Sequence, residues 1–252
     1  MPIPRFIERI ATFTALLSIV ACQPAAAVDL VTDGSFDLSK SSGQLRKDEK
    51  GQDWYESRKD GKAGRALLYL SKKPVAGNAT QKAMIKGNLK LNTYLSQRFP
   101  AEQTGDFTIA FDILVKEILP KDNRSAFILV GTSADGKNGP NSTGAERFVF
   151  LAFENAATKG KINLFARERG KDWAQKTLVA SGLDLGVWHR ITLTVQPQKE
   201  RYQVSVKGGM PRDLEAFAPK GKTPKKLTHL SFASWNDGAG TFYVDNVVAR
   251  TK

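Results

Sequence analysis

The stretch DFTIAFDILV, residues 106–115, alternates large apolar side chains with smaller or more polar ones. Successive side chains of a β-strand point to opposite faces, so one face of this segment carries only large apolar residues. A strand of this kind lies with one face in a core and the other outside it. The segment therefore predicts a core-forming strand, and the residues of its apolar face are Phe107, Ile109, Phe111, Ile113 and Val115.

The same two-residue alternation recurs along the chain, while helical periodicity is almost absent. Turn-forming residues such as Gly, Pro, Asn and Asp separate the alternating segments. Ten or more short strands without a long helix predict an all-β fold, an antiparallel two-sheet β-sandwich. The further predicted strands lie within residues 64–71, 91–99, 124–132, 146–155, 160–168, 188–196, 201–208, 226–234 and 240–249.

The N-terminal residues have the pattern of an export signal. Arg5 and Arg9 precede an apolar run over residues 10–21 that is too short to span a bilayer as a helix. No later apolar run approaches the length needed to span a membrane. We therefore expect an exported protein, periplasmic or extracellular, without a membrane span.

Two processing sites compete. The small residues before Val28 favour cleavage after Ala27, which makes residues 1–27 a signal peptide and residues 28–252 a single β-sandwich domain. Alternatively, the residues before Cys22 resemble a bacterial lipobox, so that residues 1–21 are removed and the lipidated cysteine anchors the protein at a membrane. We favour the first site, because strand-like sequence begins at once after residue 27.

Composition limits both the stabilising chemistry and the partners. Cys22 is the single cysteine, so the mature protein has no internal disulfide and must be stabilised by its core. The formal net charge is +13, which favours anionic partners such as an acidic polysaccharide or a phosphate-rich envelope. Nucleic acid is not expected, since the protein is exported and its basic residues are spread along the chain without a recognition helix.

The stretch LGVWHRITLTVQPQKERYQVSVKGG, residues 185–209, resembles a hairpin of the concanavalin A-like lectins and glucanases, a group that includes laminin G-like domains. In that hairpin Trp-His opens a strand, a polar turn follows, and a second alternating strand ends near glycine. The resemblance implies a jelly-roll β-sandwich and a carbohydrate ligand. The alternation of WHRITLTV, residues 188–195, itself predicts that Trp188 packs in the core.

A second resemblance involves the two ends of the predicted domain. LVTDGSFD, residues 30–37, and FYVDNVVA, residues 242–249, look like the paired terminal strands of galactose-binding-like carbohydrate-binding modules. In those modules acidic residues from both strands approach a calcium ion, which prefers several oxygen ligands. The resemblance implies a structural Ca²⁺ held by Asp33, Asp37 and Asp245. Otherwise Asp245 lies on an outer face, where it contacts water or a lysine.

Signatures of catalysis are weaker. The Glu-x-Asp-x-Glu arrangement of jelly-roll glucanases is absent, and the chain has no Cys/His metal motif, phosphate-binding glycine loop or Gly-x-Ser-x-Gly turn. ARERG, residues 166–170, resembles the arginine strand of jelly-roll polysaccharide lyases, which use a His or Tyr base. His189 and His229 are the two histidines, and we expect both to be structural.

Binding requires fewer residues than catalysis. Sugars are held by aromatic faces and by amide or carboxylate hydrogen bonds, and arginines are added for acidic sugars. The glycine-rich turn after Trp235 predicts an exposed ring there, and a second tryptophan lies in an arginine-rich segment. The predicted ligand-binding residues are Trp235, Asn236, Asp237, Trp173, Arg167 and Arg169.

Residues 208–226 form the longest irregular stretch and carry three prolines and several lysines. We interpret this stretch as a surface connection between strands, with a basic lid over a binding face as the alternative. The sequence as a whole predicts an exported, non-catalytic carbohydrate-binding β-sandwich, for which an acidic polysaccharide is the candidate ligand. The alternatives are a polysaccharide hydrolase or lyase of the same architecture, and a cell-envelope structural or protein-interaction module.

Overall fold

A computed structural model describes most of the chain beyond the N-terminal segment. The strands in it, numbered in chain order, form two antiparallel sheets. The predicted export segment and Cys22 lie outside the described residues, apart from Ala27. The described residues are 27–37, 54–56, 68–87, 89–90, 92–120, 123–134, 136 and 139–252.

The first sheet has seven strands, each antiparallel to its neighbours. From one edge to the other they are β1 (Leu68–Ser71), β2 (Lys82–Lys86), β13 (Gly240–Thr251), β4 (Phe107–Ile118), β9 (Trp188–Gln196), β10 (Arg201–Val206) and β11 (Arg212–Glu215).

The second sheet has six strands and is also antiparallel throughout. In order they are β3 (Thr93–Gln103), β12 (Leu227–Ser234), β5 (Arg124–Gly131), β6 (Arg147–Asn155), β7 (Lys161–Ala166) and β8 (Thr177–Asp184). The predicted all-β, two-sheet jelly-roll sandwich is therefore confirmed.

The main core lies between the inner faces of the two sheets. The apolar face of β4, which defined the sequence prediction, is fully buried there together with Ile191, Leu193 and Val195 of β9. The opposing sheet contributes apolar residues such as Ile128 and Phe232. Removing this apolar area from water is the main favourable contribution to folding.

Residues 28–34, at the start of the described part of the chain, lie beside the last strand, as predicted. The amide of Leu30 donates to the carbonyl of Ala249 at 2.7 Å, and that of Val247 donates to the carbonyl of Gly34 at 2.8 Å. A Cβ at Gly34 would lie 1.7 Å from the Val247 carbonyl oxygen, so only glycine fits this approach.

Strands β2, β8 and β11 are not predicted by the sequence pattern. Strand β8 covers part of the SGLDLG segment that was interpreted as a turn, and β11 lies inside residues 208–226. Both are short or irregular edge strands, and β8 is bent where Gly182 has a φ of +67°. Neither strand shows a regular alternation of apolar and polar residues, so the sequence does not indicate that its backbone pairs in a sheet. No described residue belongs to a helix that is long and apolar enough to cross a membrane.

The core position predicted for Trp188 is wrong. On β9 it is the face of His189, Ile191 and Leu193 that is buried, so Trp188 lies on the outer face of the seven-stranded sheet. There its ring is half-buried and packs against a small cluster that includes Met84. The alternation was recognised correctly, but its phase was assigned one residue out.

Candidate functional site

The outer face of the six-stranded sheet carries a second group of packed apolar residues, separate from the main core. Strands β5 and β6 are apolar on both faces, so their outward rings meet there and are covered by side chains from three other segments. We call this group the aromatic cluster. Its buried members are Tyr94, Phe127, Leu129, Phe150, Ala152 and Ala233, and Trp173, Phe217 and Trp235 pack on them half-buried.

Phe150 is at the centre of the aromatic cluster. Its ring lies edge-on to Trp173 and to Phe217, with centroids 5.2 Å and 4.9 Å away. Trp235 contacts it at 5.6 Å and stacks on Phe127 at 4.1 Å with an interplanar angle of 21°. Edge-to-face and offset stacking of this kind are the favourable arrangements of aromatic rings. The rings therefore hold one another in fixed positions.

Three arginines lie over these rings. The guanidinium carbon of Arg147 is 4.9 Å from the Phe150 centroid and 4.8 Å from that of Trp235. That of Arg167 lies 4.8–5.3 Å from Phe150, Trp173 and Phe217, and that of Arg124 lies 5.0 Å from Trp173. These are cation–π distances, so each guanidinium stacks on an aromatic face.

Hydrogen bonds fix the stacked guanidinium groups. Arg167 donates from Nε and Nη2 to the carbonyl of Lys171 at 3.2 and 2.9 Å, and Arg147 donates from Nε to the carbonyl of Pro140 at 3.0 Å. Burial lowers the pKa of Arg167. The negative charge of Asp172 raises this pKa, and the like charge of Arg124 lowers it. Since an arginine stays protonated in proteins, the site holds three positive charges, which Asp237, 3.4 Å from Arg124, and Asp172 balance in part.

A cleft of about 210 Å³ opens beside Trp235. Its polar lining supplies amide and hydroxyl groups that match sugar hydroxyls in hydrogen-bonding capacity. The indole N–H of Trp235 is buried and has no hydrogen-bond partner among the described residues, which is uncommon for a buried donor. The cleft is lined by Asn92, Tyr94, Asn141, Ser142, Arg147, Trp235, Asn236 and Asp237.

A second cleft, of about 320 Å³, lies next to Arg167 and Phe217. Phe217 belongs to the irregular stretch 208–226, and its amide donates to the carbonyl of Phe148 at 2.9 Å. This backbone bond places part of that stretch over the aromatic cluster. Phe150 contacts both Phe217, which lines this cleft, and Trp235, which lines the first.

Of the ligand-binding residues predicted from the sequence, the structure brings Trp173, Arg167 and Trp235 together in this face. Asn236 and Asp237 line the cleft beside Trp235. The ring of Trp235 is half-buried against Phe127, where the sequence analysis expected an exposed ring.

Arg169 lies apart from these residues. It pairs with Glu200 and donates to the carbonyl of Ala218 at 3.2 Å and to Thr223 at 3.0 Å. Hydrogen bonds from Lys225 and then from Arg169 lower the pKa of Glu200 to about 2. Arg169 therefore holds residues 218–225 in place, and the structure does not bring it into the aromatic cluster.

Neither histidine is open to a ligand. His229 is fully buried, with Nδ1 2.7 Å from the Thr228 hydroxyl, and Nε2 of His189 lies 2.8 Å from the carbonyl oxygen of Asp184. The four tyrosines whose side chains the structure describes are each at most 7% exposed. A general acid or base must come within hydrogen-bond reach of its substrate, and these side chains are largely covered.

Asp245, the residue predicted to bind calcium, is fully buried on β13. Its carboxylate accepts hydrogen bonds from Asn78 Nδ2 at 2.7 Å, from the Thr80 hydroxyl at 2.9 Å and from the amide of Asn246 at 2.7 Å. The ammonium of Lys82, itself buried, is attracted electrostatically to it. The buried charge therefore has three donors and a cation near it.

The three aspartates predicted as calcium ligands are not assembled into one site. Asp37 is close enough to raise the pKa of Asp245 electrostatically, after the larger effect of burial. The carbonyl of Asp33 accepts hydrogen bonds from the indole N–H of Trp54 at 2.9 Å and from the amide of Phe36 at 3.0 Å. No group of three or more His, Cys, Asp or Glu side chains suited to a metal is found within the described residues.

Calcium binding stays a prediction, and thermal unfolding tests it. If Asp245 and Asp37 hold Ca²⁺ with backbone oxygens, calcium at about 100 times its dissociation constant should add about 2.7 kcal/mol of stability. Asp245→Asn should remove most of this gain, whereas Asp213→Asn, on the edge strand β11, should keep it. Superimposable wild-type melting curves in calcium and in chelator would rule the metal out.

No protein-family profile and no curated protein sequence matches this chain. Among solved structures, a sialidase aligns with 79% of this chain but only 17% of its own, at 10% identity and a TM-score of 0.49. Alginate lyase A1-II′, a member of polysaccharide lyase family 7, aligns over 75% of this chain and 85% of its own, at 12% identity and a TM-score of 0.50.

A structure of the same lyase in complex with substrate aligns at 11% identity and a TM-score of 0.51, over 74% of this chain and 82% of that one. The carbohydrate recognition domain of Emp47p aligns over 80% of this chain and 96% of its own, at 10% identity and a TM-score of 0.45. Similarity at these identities establishes architecture and not activity. The chain has a jelly-roll β-sandwich fold, the architecture of these alginate lyase structures.

Proposed function

We propose that this protein is exported and binds an acidic polysaccharide across the aromatic cluster, through Arg124, Arg147 and Arg167. The observation that carries the proposal is the position of three guanidinium groups over one set of packed rings, with two clefts next to those rings. The jelly-roll fold, shared with alginate lyases and a carbohydrate recognition domain, supports a carbohydrate ligand.

The chemistry of the face suits a uronate-type polymer. A guanidinium binds a carboxylate through two parallel hydrogen bonds, and stacking on a ring fixes the plane in which those bonds form. The exposed parts of the Trp173, Phe217 and Trp235 rings offer apolar surface to sugar C–H groups, and the amides of Asn92 and Asn236 match hydroxyls. Because stacked arginines are already ordered, binding costs less side-chain entropy than it would with mobile lysines.

A polysaccharide lyase is the second candidate. The arginine-bearing face and the fold shared with family 7 alginate lyases favour it, whereas the burial of the histidines and described tyrosines favours binding without turnover. One measurement distinguishes the two functions. Incubation with alginate should give no increase in the ultraviolet absorbance of unsaturated uronates if the protein only binds, and a steady increase if it is a lyase.

The binding proposal is tested by neutralising one arginine. Arg167→Gln should weaken alginate binding by roughly 10- to 100-fold, because a charge-assisted hydrogen bond contributes about 1.5–3 kcal/mol. The control is Arg212→Gln, which removes an exposed charge on the edge of the other sheet and should change affinity less than about threefold. Isothermal titration calorimetry gives both values, and circular dichroism checks that each variant is folded.

Neutral polysaccharides complete the design. Dextran and laminarin should bind far more weakly than alginate, and alginate affinity should fall as salt rises. Equal affinity for alginate in Arg167→Gln and Arg212→Gln would mean that net charge alone attracts the polymer, and it would contradict a site at the aromatic cluster.

A further inference from the structure

The outer face of the seven-stranded sheet, on the opposite side of the sandwich, carries a separate apolar cluster. Met84, Leu114 and Tyr243 form its floor, and Val75 and Trp188 pack against them. A groove of about 890 Å³ lies over this floor, beside the loop that follows β1. That volume falls within the range of ligand pockets.

The wall of this groove is held in place by specific bonds. Trp188 Nε1 donates to the carbonyl of Val75 at 2.9 Å, and Val75 and Asn78 exchange two backbone hydrogen bonds of 2.9 and 3.0 Å. The ammonium of Lys82 donates to the carbonyl of Lys73 at 3.1 Å and to that of Thr80. The groove is therefore preformed and does not depend on a ligand to order its wall.

The rim of the groove is positively charged. Lys72, Lys73 and Lys116 are exposed, and their ammonium groups make no ion pair or hydrogen bond with any described residue. None of the residues that line the groove is acidic. A floor of Met, Leu and Tyr below three available cations is complementary to a molecule with an apolar body and one anionic end.

We propose that this groove binds the acyl chain of a fatty acid, with the carboxylate on Lys72, Lys73 and Lys116. The apolar floor favours a hydrocarbon chain, since removing apolar surface from water is a main favourable contribution to binding. A polysaccharide would instead place hydroxyl groups against Met84 and Leu114, where no hydrogen-bond partner compensates for lost water. The inference does not depend on polysaccharide binding at the other face.

Dodecanoate, used below its aggregation concentration, is the probe for this site. Titration calorimetry of the purified protein should show one saturable site, with dodecyltrimethylammonium bound at least tenfold more weakly because its charge has the wrong sign. Acetate, which lacks the chain, should not bind measurably. Equal binding of the two surfactants, or stoichiometry well above one, would overturn the proposal.

Variants separate the rim from the floor. The triple variant Lys72→Glu/Lys73→Glu/Lys116→Glu should weaken dodecanoate binding at least tenfold, and the matched triple Lys159→Glu/Lys199→Glu/Lys222→Glu, with the same change in net charge, should change it less than threefold. Met84→Gln, which keeps the side-chain volume, should also weaken it severalfold. Unchanged affinity in either the rim triple or Met84→Gln, with the variant folded, would overturn the proposal.

Alginate provides the remaining comparison. The rim triple should bind alginate no more weakly than the matched triple does, because the groove and the aromatic cluster lie on opposite sheets. A selective loss of alginate binding in the rim triple would assign the groove to polysaccharide and would overturn the fatty-acid proposal. Failure of alginate to bind any variant would contradict the function proposed for the aromatic cluster and leave the dodecanoate result unaffected.

Discussion

Replacing Phe150 by alanine should lower the free energy of unfolding by about 3–5 kcal/mol, the range for removing a fully buried phenylalanine. The ring is fully buried on the outer side of the six-stranded sheet, where it contacts Phe127, Trp173, Phe217 and Trp235. Its removal leaves a cavity that four rings border and that two guanidinium groups cover. Urea unfolding followed by tryptophan fluorescence measures the loss.

Phe165→Ala is the matched control. That ring points outward from the neighbouring strand β7, is only half-buried and has Lys176 over it at 4.7 Å. Its loss should cost about 1 kcal/mol, near the centre of the distribution for single substitutions. Similar losses for the two alanine variants would mean that the aromatic cluster contributes no more than an ordinary surface ring.

Phe150→Leu distinguishes packing from the cation–π contacts. Leucine fills part of the volume, so this variant should remain folded, but it offers no aromatic face to Arg147 and Arg167. We expect weaker alginate binding in Phe150→Leu than in Phe165→Leu. Equal binding would show that the rings stabilise the sheet without positioning the arginines.

The fold could be predicted because the inward faces of most strands follow a strict two-residue period. Strand β4 is the clearest case, and its five predicted core residues are all buried. Strand β2 was missed because it contains Lys82, which reads as a solvent-exposed residue. In the structure Lys82 is buried, because its ammonium reaches backbone carbonyls and lies near a buried carboxylate. The carbonyls belong to the nearby residues Lys73 and Thr80, whereas the carboxylate of Asp245 comes from a strand distant in sequence.

The candidate site was predicted only in part, for a related reason. Trp173 and Arg167 are close in sequence and were found together, whereas Phe127 and Phe150 were assigned to strands without a role. The strands that contain Phe127 and Phe150 carry large apolar residues on both faces. A sheet with one face exposed to water does not require this, so the pattern itself indicated a covered outer face. Which arginines would stack on those rings depends on tertiary structure, because basic residues are spread over the whole chain.

Asp245 shows the limit of a prediction from strand position alone. The negative charge of an acidic residue between apolar neighbours must be compensated by a cation, by hydrogen-bond donors or by water. The structure supplies Asn78, Thr80 and the Asn246 amide as donors, with the Lys82 ammonium attracted to the carboxylate. None of these partners except Asn246 lies near residue 245 in sequence.

Asp245→Ala should therefore cost about 1–3 kcal/mol, the range for leaving hydrogen-bond donors without their buried acceptor. The variant leaves the buried Lys82 ammonium without its nearby carboxylate and removes the acceptor of Asn78 and Thr80. Asp213→Ala is the control, because that exposed carboxylate only accepts a bond from Gln203 at 2.8 Å. It should change stability by about 0.5 kcal/mol or less.

The pH dependence of this difference tests the same carboxylate. Burial raises the pKa of Asp245 above its usual value of 3.8, so the folded protein takes up this proton before the unfolded chain does. As pH falls through that raised pKa toward 3.8, wild type should gain stability relative to Asp245→Ala, and below 3.8 the gain should stop growing. Urea unfolding of both proteins at several pH values from 7 to 3.5 measures it. A difference that shrinks as pH falls would mean that the ionised carboxylate stabilises the fold and that its pKa is lowered.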